Sequence, residues 1–321
     1  MALACAVRTV KSVLFVCTGN ICRNRGGCTG MRTAAFSIFF CLALSALATE
    51  TDRKIAFARG GTDVWIANLD GSGAKKICHG VYPDISPDGT RVAFNTQESR
   101  PGKPGSDVRH IAVADIATGK VTTFTDIPSE QSYGARWSPD GSRISFRVLI
   151  NEQWRRGIVN ADGSGFRVAE GLPADAPVWA RDGKSIFGYD FENLYQIDLD
   201  GNVLKKWELS KVLTERGRYG DAQVFGLSIS PDGKTLLIDV DLSGPAAVYA
   251  FDPSAEKTAR VTSNKDVVTE SCWLTNDEFV CVIFKDKERR GNMRSVYRMS
   301  VGDKTAKLVI KDATNPSVSA P

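Results

Sequence analysis

A thiol and a guanidinium separated by five residues form the most specific chemical spacing in the chain. Cys17-Thr18-Gly19-Asn20-Ile21-Cys22-Arg23 follows the apolar run Val13-Leu14-Phe15-Val16. In such a C-x5-R arrangement, backbone N–H groups and the arginine cradle a phosphoryl group while a thiolate of lowered pKa attacks it. A second set of residues suits recognition rather than bond-making. Trp154-Arg155-Arg156, Arg216 with Arg218-Tyr219, and Glu288-Arg289-Arg290 with Arg294 place aromatic rings beside guanidiniums. That composition binds protein surfaces or anionic sugars. Asp221, Asp239, Asp241, Asp286 and Glu288 lie among these residues, so solvated loop charge is the competing reading. The remaining chemistry is sparse. His79 and His110 stand apart with no H-x-x-E or H-x-x-x-H spacing, so no metal site is expected. No cofactor is expected either, and no serine sits in a G-x-S-x-G elbow.

Each candidate needs an element to hold it. Residues 13–23 resemble the first strand and phosphate loop of low-molecular-weight protein-tyrosine phosphatases. The resemblance implies a Ser-Pro start to the following helix, an acidic residue on a late loop as general acid, and over a hundred residues of α/β fold. Asn24-Arg25-Gly26-Gly27 follows instead, a poor helix opening. At Met31-Arg32 a different pattern begins: a positive start, an apolar stretch from Ala34 to Leu44, and the small residues of Ala46-Leu47-Ala48. This has the form of a secretory signal peptide with Thr49 as first mature residue, its apolar run short for a membrane span. No cysteine follows the cleavage site, so no lipid anchor is expected. Residues 1–30 thus read as an upstream extension carrying a phosphatase-loop fragment, and residues 49–321 as the folded protein. Charge agrees with that division. The chain carries a formal +4, yet residues 1–48 hold five basic residues and no acid, leaving 36 basic against 37 acidic residues beyond them. A surface so balanced has no field to attract nucleic acid.

The organising element is a repeat. Trp137-Ser138-Pro139-Asp140-Gly141 leads into Ile144-Ser145-Phe146, and Ile85-Ser86-Pro87-Asp88-Gly89 into Val92-Ala93-Phe94. Further copies start at Trp179, Ile229 and Trp273. Each is an apolar residue, a turn in which Pro presets φ and Gly accepts φ > 0, and a β-rich run. Copies start roughly 42 to 52 residues apart, the period of a four-stranded propeller blade. Six outer turns of the type Asn68-Leu69-Asp70-Gly71 or Asp115-Ile116-Ala117-Thr118-Gly119 predict six blades. Lys54-Ile55-Ala56-Phe57 has no inner turn before it, whereas Asn315-Pro316-Ser317-Val318 begins a repeat that stops. The C-terminal strand is therefore expected to complete the first blade and leave no sheet edge open.

The Trp/Ile-Ser-Pro-Asp-Gly signature, together with Asp63-Val64-Trp65-Ile66-Ala67-Asn68-Leu69-Asp70-Gly71, resembles the PD40 (WD40-like) repeats of TolB-type β-propellers over residues 52–320. The fold class expected is all-β, a six-bladed propeller of four-stranded blades. The α/β domain that precedes the TolB propeller is missing, which leaves the Tol–Pal partner role outside the resemblance. Tight turns occupy one face. The variable connections 98–109, 151–157, 209–225 and 285–295 share the other, where binding on a rigid scaffold usually resides. They carry the candidate binding residues Trp154, Arg155, Arg156, Arg216, Arg218, Tyr219, Arg289 and Arg290. Trp137, Trp179 and Trp273 are expected in the core, and Asp88, Asp140, Asp182 and Asp232 as turn caps. If Asn276-Asp277 is a two-residue turn, Cys272 opposes Cys281, giving either a disulfide or two small residues packed across a hairpin. The function expected is that of a monomeric, exported, non-enzymatic propeller binding a protein or envelope-glycan partner. The alternatives are a propeller enzyme acting on anionic polysaccharide and a phosphatase using Cys17 and Arg23.

Overall fold

A computed structural model describes residues 53–99, 107–170, 177–213, 222–242, 246–263, 266–284, 294–303 and 305–321. They form six four-stranded antiparallel sheets, the blades of a six-bladed β-propeller. Blade 3 shows the plan: Ser132–Trp137 innermost, then Arg143–Ile150, Gln153–Asn160 and Arg167–Ala169 outermost. Blades 2, 4, 5 and 6 follow it, with innermost strands Val81–Ile85, Val178–Trp179, Gln223–Ile229 and Val267–Trp273. Blade 1 takes its inner strand, Thr314–Val318, from the C-terminus and its second, Lys54–Arg59, from the start of the described chain. The closure expected from the unfinished repeat is present.

Period-2 alternation makes the ring. Ile55 and Phe57 face blade 6, in a cluster with Val280, Val282 and Val296. The intervening Ala56 faces blade 2 among Ile85, Val92 and Phe94. Similar clusters lie between every other pair of neighbours, the largest joining Phe187, Leu194 and Trp207 of blade 4 to Ile229, Leu236 and Phe251 of blade 5. Trp137, Trp179 and Trp273 are buried in these clusters, as are Phe57, Phe94 and Phe146.

The repeated turns also tie blade to blade. Ser138 Oγ accepts the Arg143 N–H at 2.9 Å and bonds the Asp140 carboxylate, while Gly141 sits at φ 68°. That serine hydrogen bond, with Ser142 and Arg143 assisting, lowers Asp140 to a pKa of about 2. Ser86 with Asp88 and Ser230 with Asp232 repeat the motif. In blades 2 and 3 the arginine opening the second strand then reaches the next blade. Arg91 lies 4.6 Å from the Trp137 ring centroid, and Arg143 lies 5.1 Å from that of Trp179 and donates to Gly183 O at 3.0 Å. Trp137 and Trp179 reach back, donating through Nε1 to Asp84 O and Arg136 O of the preceding inner strands.

Two expectations are corrected. Residues 151–157 are not a long loop: Asn151 and Glu152, both at positive φ, make a two-residue turn, and Gln153–Asn160 is a strand. Cys272 does not face Cys281. Leu274 and Thr275 both donate to Glu278 O, so Trp273 pairs Phe279 and Cys272 pairs Val280. One residue of offset sends the thiols to opposite faces of the sheet, Cys272 toward blade 1 and Cys281 toward blade 5. Both are free thiols. The leader and signal-peptide reading of residues 1–48 lies outside the described residues. Among the described residues no helix is long and apolar enough to cross a membrane.

Candidate functional site

Where the innermost strands begin, on the face opposite the Ser-Pro-Asp-Gly turns, the ring opens into a cavity of about 630 Å3. The strands lining it are bent in a recurring way. Their pairing with the second strand slips between Val81 and Asp84, between Tyr133 and Arg136, between Val224 and Gly226, and between Thr269 and Cys272. A fifth slip lies opposite Thr314–Val318. Four of these bulges hold a residue in the left-handed region: Tyr82 at φ 53°, Gly134 at 63°, Glu270 at 56° and Asn315 at 49°. Only the glycine adopts that conformation without strain; each of the others costs roughly 1–3 kcal/mol. A bulge unpairs one residue and re-aims its neighbours, and here the neighbours line the cavity: Tyr82, Tyr133, Arg136, Phe225, Thr269, Glu270 and Asn315.

Through the bulges, second-strand side chains also reach the cavity. Arg147 pairs Tyr133 and stands beside Gly134; its guanidinium lies 4.1 Å from the Trp154 ring centroid. Tyr133 packs edge-on against the same indole at 5.3 Å. In blade 5, Asp239 pairs Gly226, and a Cβ on that glycine would sit 2.7 Å from Asp239 Oδ2. The missing side chain is what admits the carboxyl group. Phe284 and Arg294 extend the wall from blade 6, guanidinium 4.7 Å from the ring centroid. Tyr82 and Phe225 remain 48% and 38% exposed, large apolar surfaces at the opening.

Charge is divided within the cavity. Arg136 is occupied by Asp84, Nη1 to Oδ1 at 3.1 Å. Asp84 is further held by the Trp137 N–H and the Ser317 hydroxyl at 2.8 Å each. Asp239 is buried, and its Oδ2 accepts the Ser271 N–H at 2.9 Å. Oδ1 has no partner among the described residues. Burial pushes the Asp239 pKa up, against hydrogen bonding from Ser271 and the Glu270 backbone and the Arg136 charge. Glu270 accepts the Asn315 N–H; burial raises its pKa as well, the Asp239 charge adding to the rise and Arg294 opposing it.

Of the residues singled out by sequence, Trp154 and Arg294 line this cavity. Arg155 lies on the opposite face of its strand and pairs Glu170 at 3.4 Å. Arg156 is buried between blades 3 and 4, its guanidinium against Gly188, 3.5 Å from where a Cβ would stand. It is a strand residue rather than a loop residue. Arg216, Arg218, Tyr219, Arg289 and Arg290 lie outside the described residues, as do Cys17 and Arg23. His79 meets Asp63 on the surface, and no group of three metal-ligating side chains occurs among the described residues. Asp239, Glu270, Arg147 and Tyr82 were not singled out for the site. One signal was legible: Asp239 interrupts the apolar run Leu236-Leu237-Ile238-Asp239-Val240.

No family model matches the chain. Over 90 residues it is 34% identical to Dipeptidyl-peptidase 5 of Porphyromonas gingivalis, a match spanning 26% of this chain and 13% of that protein. The chain thus spans about an eighth of that relative's length. In structure it is similar to TolB from Acinetobacter baumannii, with a TM-score of 0.61 at 17% identity, covering 87% of this chain and 69% of that one. A structure titled as a nidogen/laminin complex gives 0.60 at 13% identity, covering 83% and 98%. The fold read from the repeats as resembling TolB-type propellers is the fold found.

Proposed function

We propose that the protein is an exported binding propeller that receives a segment of a protein partner in the cavity on its long-loop face. The observation that carries this reading is the set of bulges at one level of the ring. Together they turn tyrosine, phenylalanine, tryptophan and arginine side chains into a single opening, the residue types enriched where proteins bind proteins. The TolB and nidogen likenesses are consistent with a protein partner, and the signal-like residues 31–48 with a periplasmic or secreted location. A photo-crosslinking amino acid replacing Tyr82 or Phe225 in native cells is expected to capture a discrete partner. The same probe at Leu204, exposed on an outer strand, is the control. Equal capture at Leu204, or none at Tyr82 and Phe225, refutes the reading.

A second reading is favoured by one observation: two carboxyl groups of raised pKa stand beside arginines. Such an arrangement suits acid–base chemistry on an anionic polysaccharide. New ultraviolet-absorbing ends on uronate polymers incubated with the protein, lost on Glu270→Gln, would establish it in place of the first.

A further inference from the structure

The cavity's acid pair presents an unmet electrostatic requirement. Asp239 is 3% exposed, and its Oδ1 has no hydrogen-bond donor among the described residues. A buried carboxylate oxygen without a donor is costly, and a structure retains it where something else supplies the donor. The neighbouring guanidiniums are engaged elsewhere. Arg136 is taken up by Asp84, and the Arg294 guanidinium lies over the Phe284 ring. The nearby Thr269 hydroxyl is likewise buried without a partner. The opening toward the cavity is built, because Gly226 leaves Asp239 uncovered where any side chain would meet its carboxylate. Glu270 is brought alongside by a left-handed backbone and the Asn315 N–H.

We propose that Asp239 and Glu270 form a binding site for a primary ammonium group carried on a peptide that enters the cavity. The inference rests on the partner-segment reading above and names the group that the cavity recognises. An ammonium is a compact cation with three donors, which suits two carboxyl groups and a hydroxyl at the end of a cavity. A guanidinium is planar and forked, and asks for one bidentate carboxylate. A divalent cation asks for six or more oxygen ligands, and no third acidic ligand stands with these two among the described residues. Burial pushes both carboxyl pKa values up, the behaviour of a site whose counter-charge arrives with the ligand. The rings of Tyr82, Trp154, Tyr189 and Phe225 offer apolar walls to the body of the peptide, and a cavity of about 630 Å3 has the size of small-ligand pockets.

The ammonium can come from a peptide N-terminus or from a lysine side chain, and three probes separate the sources. The amides H-Ala-Phe-Ala-NH2, Ac-Ala-Phe-Ala-NH2 and Ac-Ala-Phe-Lys-NH2 are titrated calorimetrically into the intact mature chain. The free-amine peptide is expected to bind at least about tenfold more tightly than its acetylated form. That tenfold factor should disappear in Asp239→Asn and, independently, in Glu270→Gln, two near-isosteric changes whose melting curves report on folding. If the lysine peptide binds as the free-amine peptide does, a side chain suffices; if it binds as the acetylated one, the terminus is required. Equal binding of free and acetylated peptides, no saturable binding of any, or a preference that survives both variants overturns the proposal. A partner captured at Tyr82 with unchanged yield in both variants would leave the partner-segment reading intact and overturn the ammonium site alone.

Discussion

Deleting residues 314–321 removes the inner strand of blade 1 and opens the ring. The strand is held from both sides. Ser319 N–H donates to Lys54 O at 3.0 Å, and its hydroxyl accepts the Lys54 N–H at 3.0 Å. Arg53 Nη2 donates to Ser319 O at 2.9 Å. The Ser317 hydroxyl accepts the Ile85 N–H at 3.1 Å and donates to Asp84 at 2.8 Å. Ala320 N–H reaches Pro87 O at 3.1 Å. At about 1 kcal/mol net for each bond, these six contribute roughly 6 kcal/mol before the ladder with Lys54–Arg59 and the burial of Pro316 are included. A whole domain is stable by only about 5–15 kcal/mol. For a domain of this size each kcal/mol is about 2–4 °C of melting temperature, so a loss of roughly 12–24 °C is expected in differential scanning calorimetry. The newly bared edge of Lys54–Arg59 should also promote self-association, seen as light scattering at the transition. Ser319→Ala, which removes the hydroxyl that accepts the Lys54 N–H, should cost about 1 kcal/mol. A truncated chain melting within about 2 °C of the intact one would mean that blade 1 is complete without its C-terminal strand, and the closure argument would fail.

Other outcomes follow from particular side chains. Asp239→Asn keeps an acceptor for the Ser271 N–H and removes a buried charge, so it should stabilise the unliganded protein at neutral pH by about 1 kcal/mol. The sign is fixed by the raised pKa: the folded state holds its proton longer, stability falls as pH climbs from the unfolded value near 4 through the folded one, and the gain should vanish below pH ~4. The turn aspartates act in the opposite sense. Asp140, lowered to about 2, contributes stability that is complete above its unfolded value and lost as pH falls toward 2. Ser138→Ala should therefore flatten the acid limb of a pH–melting profile as well as cost about 1 kcal/mol. Trp207→Ala empties the cluster between blades 4 and 5 and should cost about 3–5 kcal/mol in urea unfolding. Denatured, unreduced protein starting at Thr49 should titrate with thiol reagent at Cys78, Cys272 and Cys281 alike. Native protein at pH 8 should react slowly, since burial raises all three thiols, Cys78 to about 12.

Fold and site were legible to different degrees because they are written at different ranges. Ser-Pro-Asp-Gly turns fix their own geometry within five residues, as Ser138, Asp140 and Gly141 illustrate, and strand alternation distributes Ile55 and Ala56 to opposite neighbours with no further information. Counting such units gives the ring. Register is a different matter. The error over Cys272 and Cys281 came from one residue of turn length, and a single step reverses every side chain that follows. Residues 151–157 failed through the same kind of ambiguity: Trp154-Arg155-Arg156 has the composition of a recognition loop, but extended backbone hides Arg156 between blades while it offers Trp154 to the cavity. The bulges that assemble the site are slips between strands, and no local pattern announces them. Asp239 within its apolar run was the exception, a charge whose position had no structural explanation.

The two faces of the ring differ in what varies from blade to blade. On the turn face, chemistry recurs between blades: serine to aspartate within the turns at Ser86, Ser138 and Ser230, and arginine onto the next tryptophan at Arg91 and Arg143. That recurrence suits a role in stacking similar blades. On the opposite face the backbone repeats and the side chains do not. The left-handed position is Tyr82 in blade 2, Gly134 in blade 3, Glu270 in blade 6 and Asn315 in blade 1. Strain held at equivalent places by unlike residues has no role in stacking, since glycine at each would relieve it. The differing side chains are then the reason the conformation is retained. Around one opening they set a ring, a carboxyl and an amide in fixed positions, with Arg147 and Asp239 reaching in behind Gly134 and Gly226. A closed sheet tolerates roughly 1–3 kcal/mol at each bulge because the apolar clusters between neighbouring blades and the ties on the turn face remain in place.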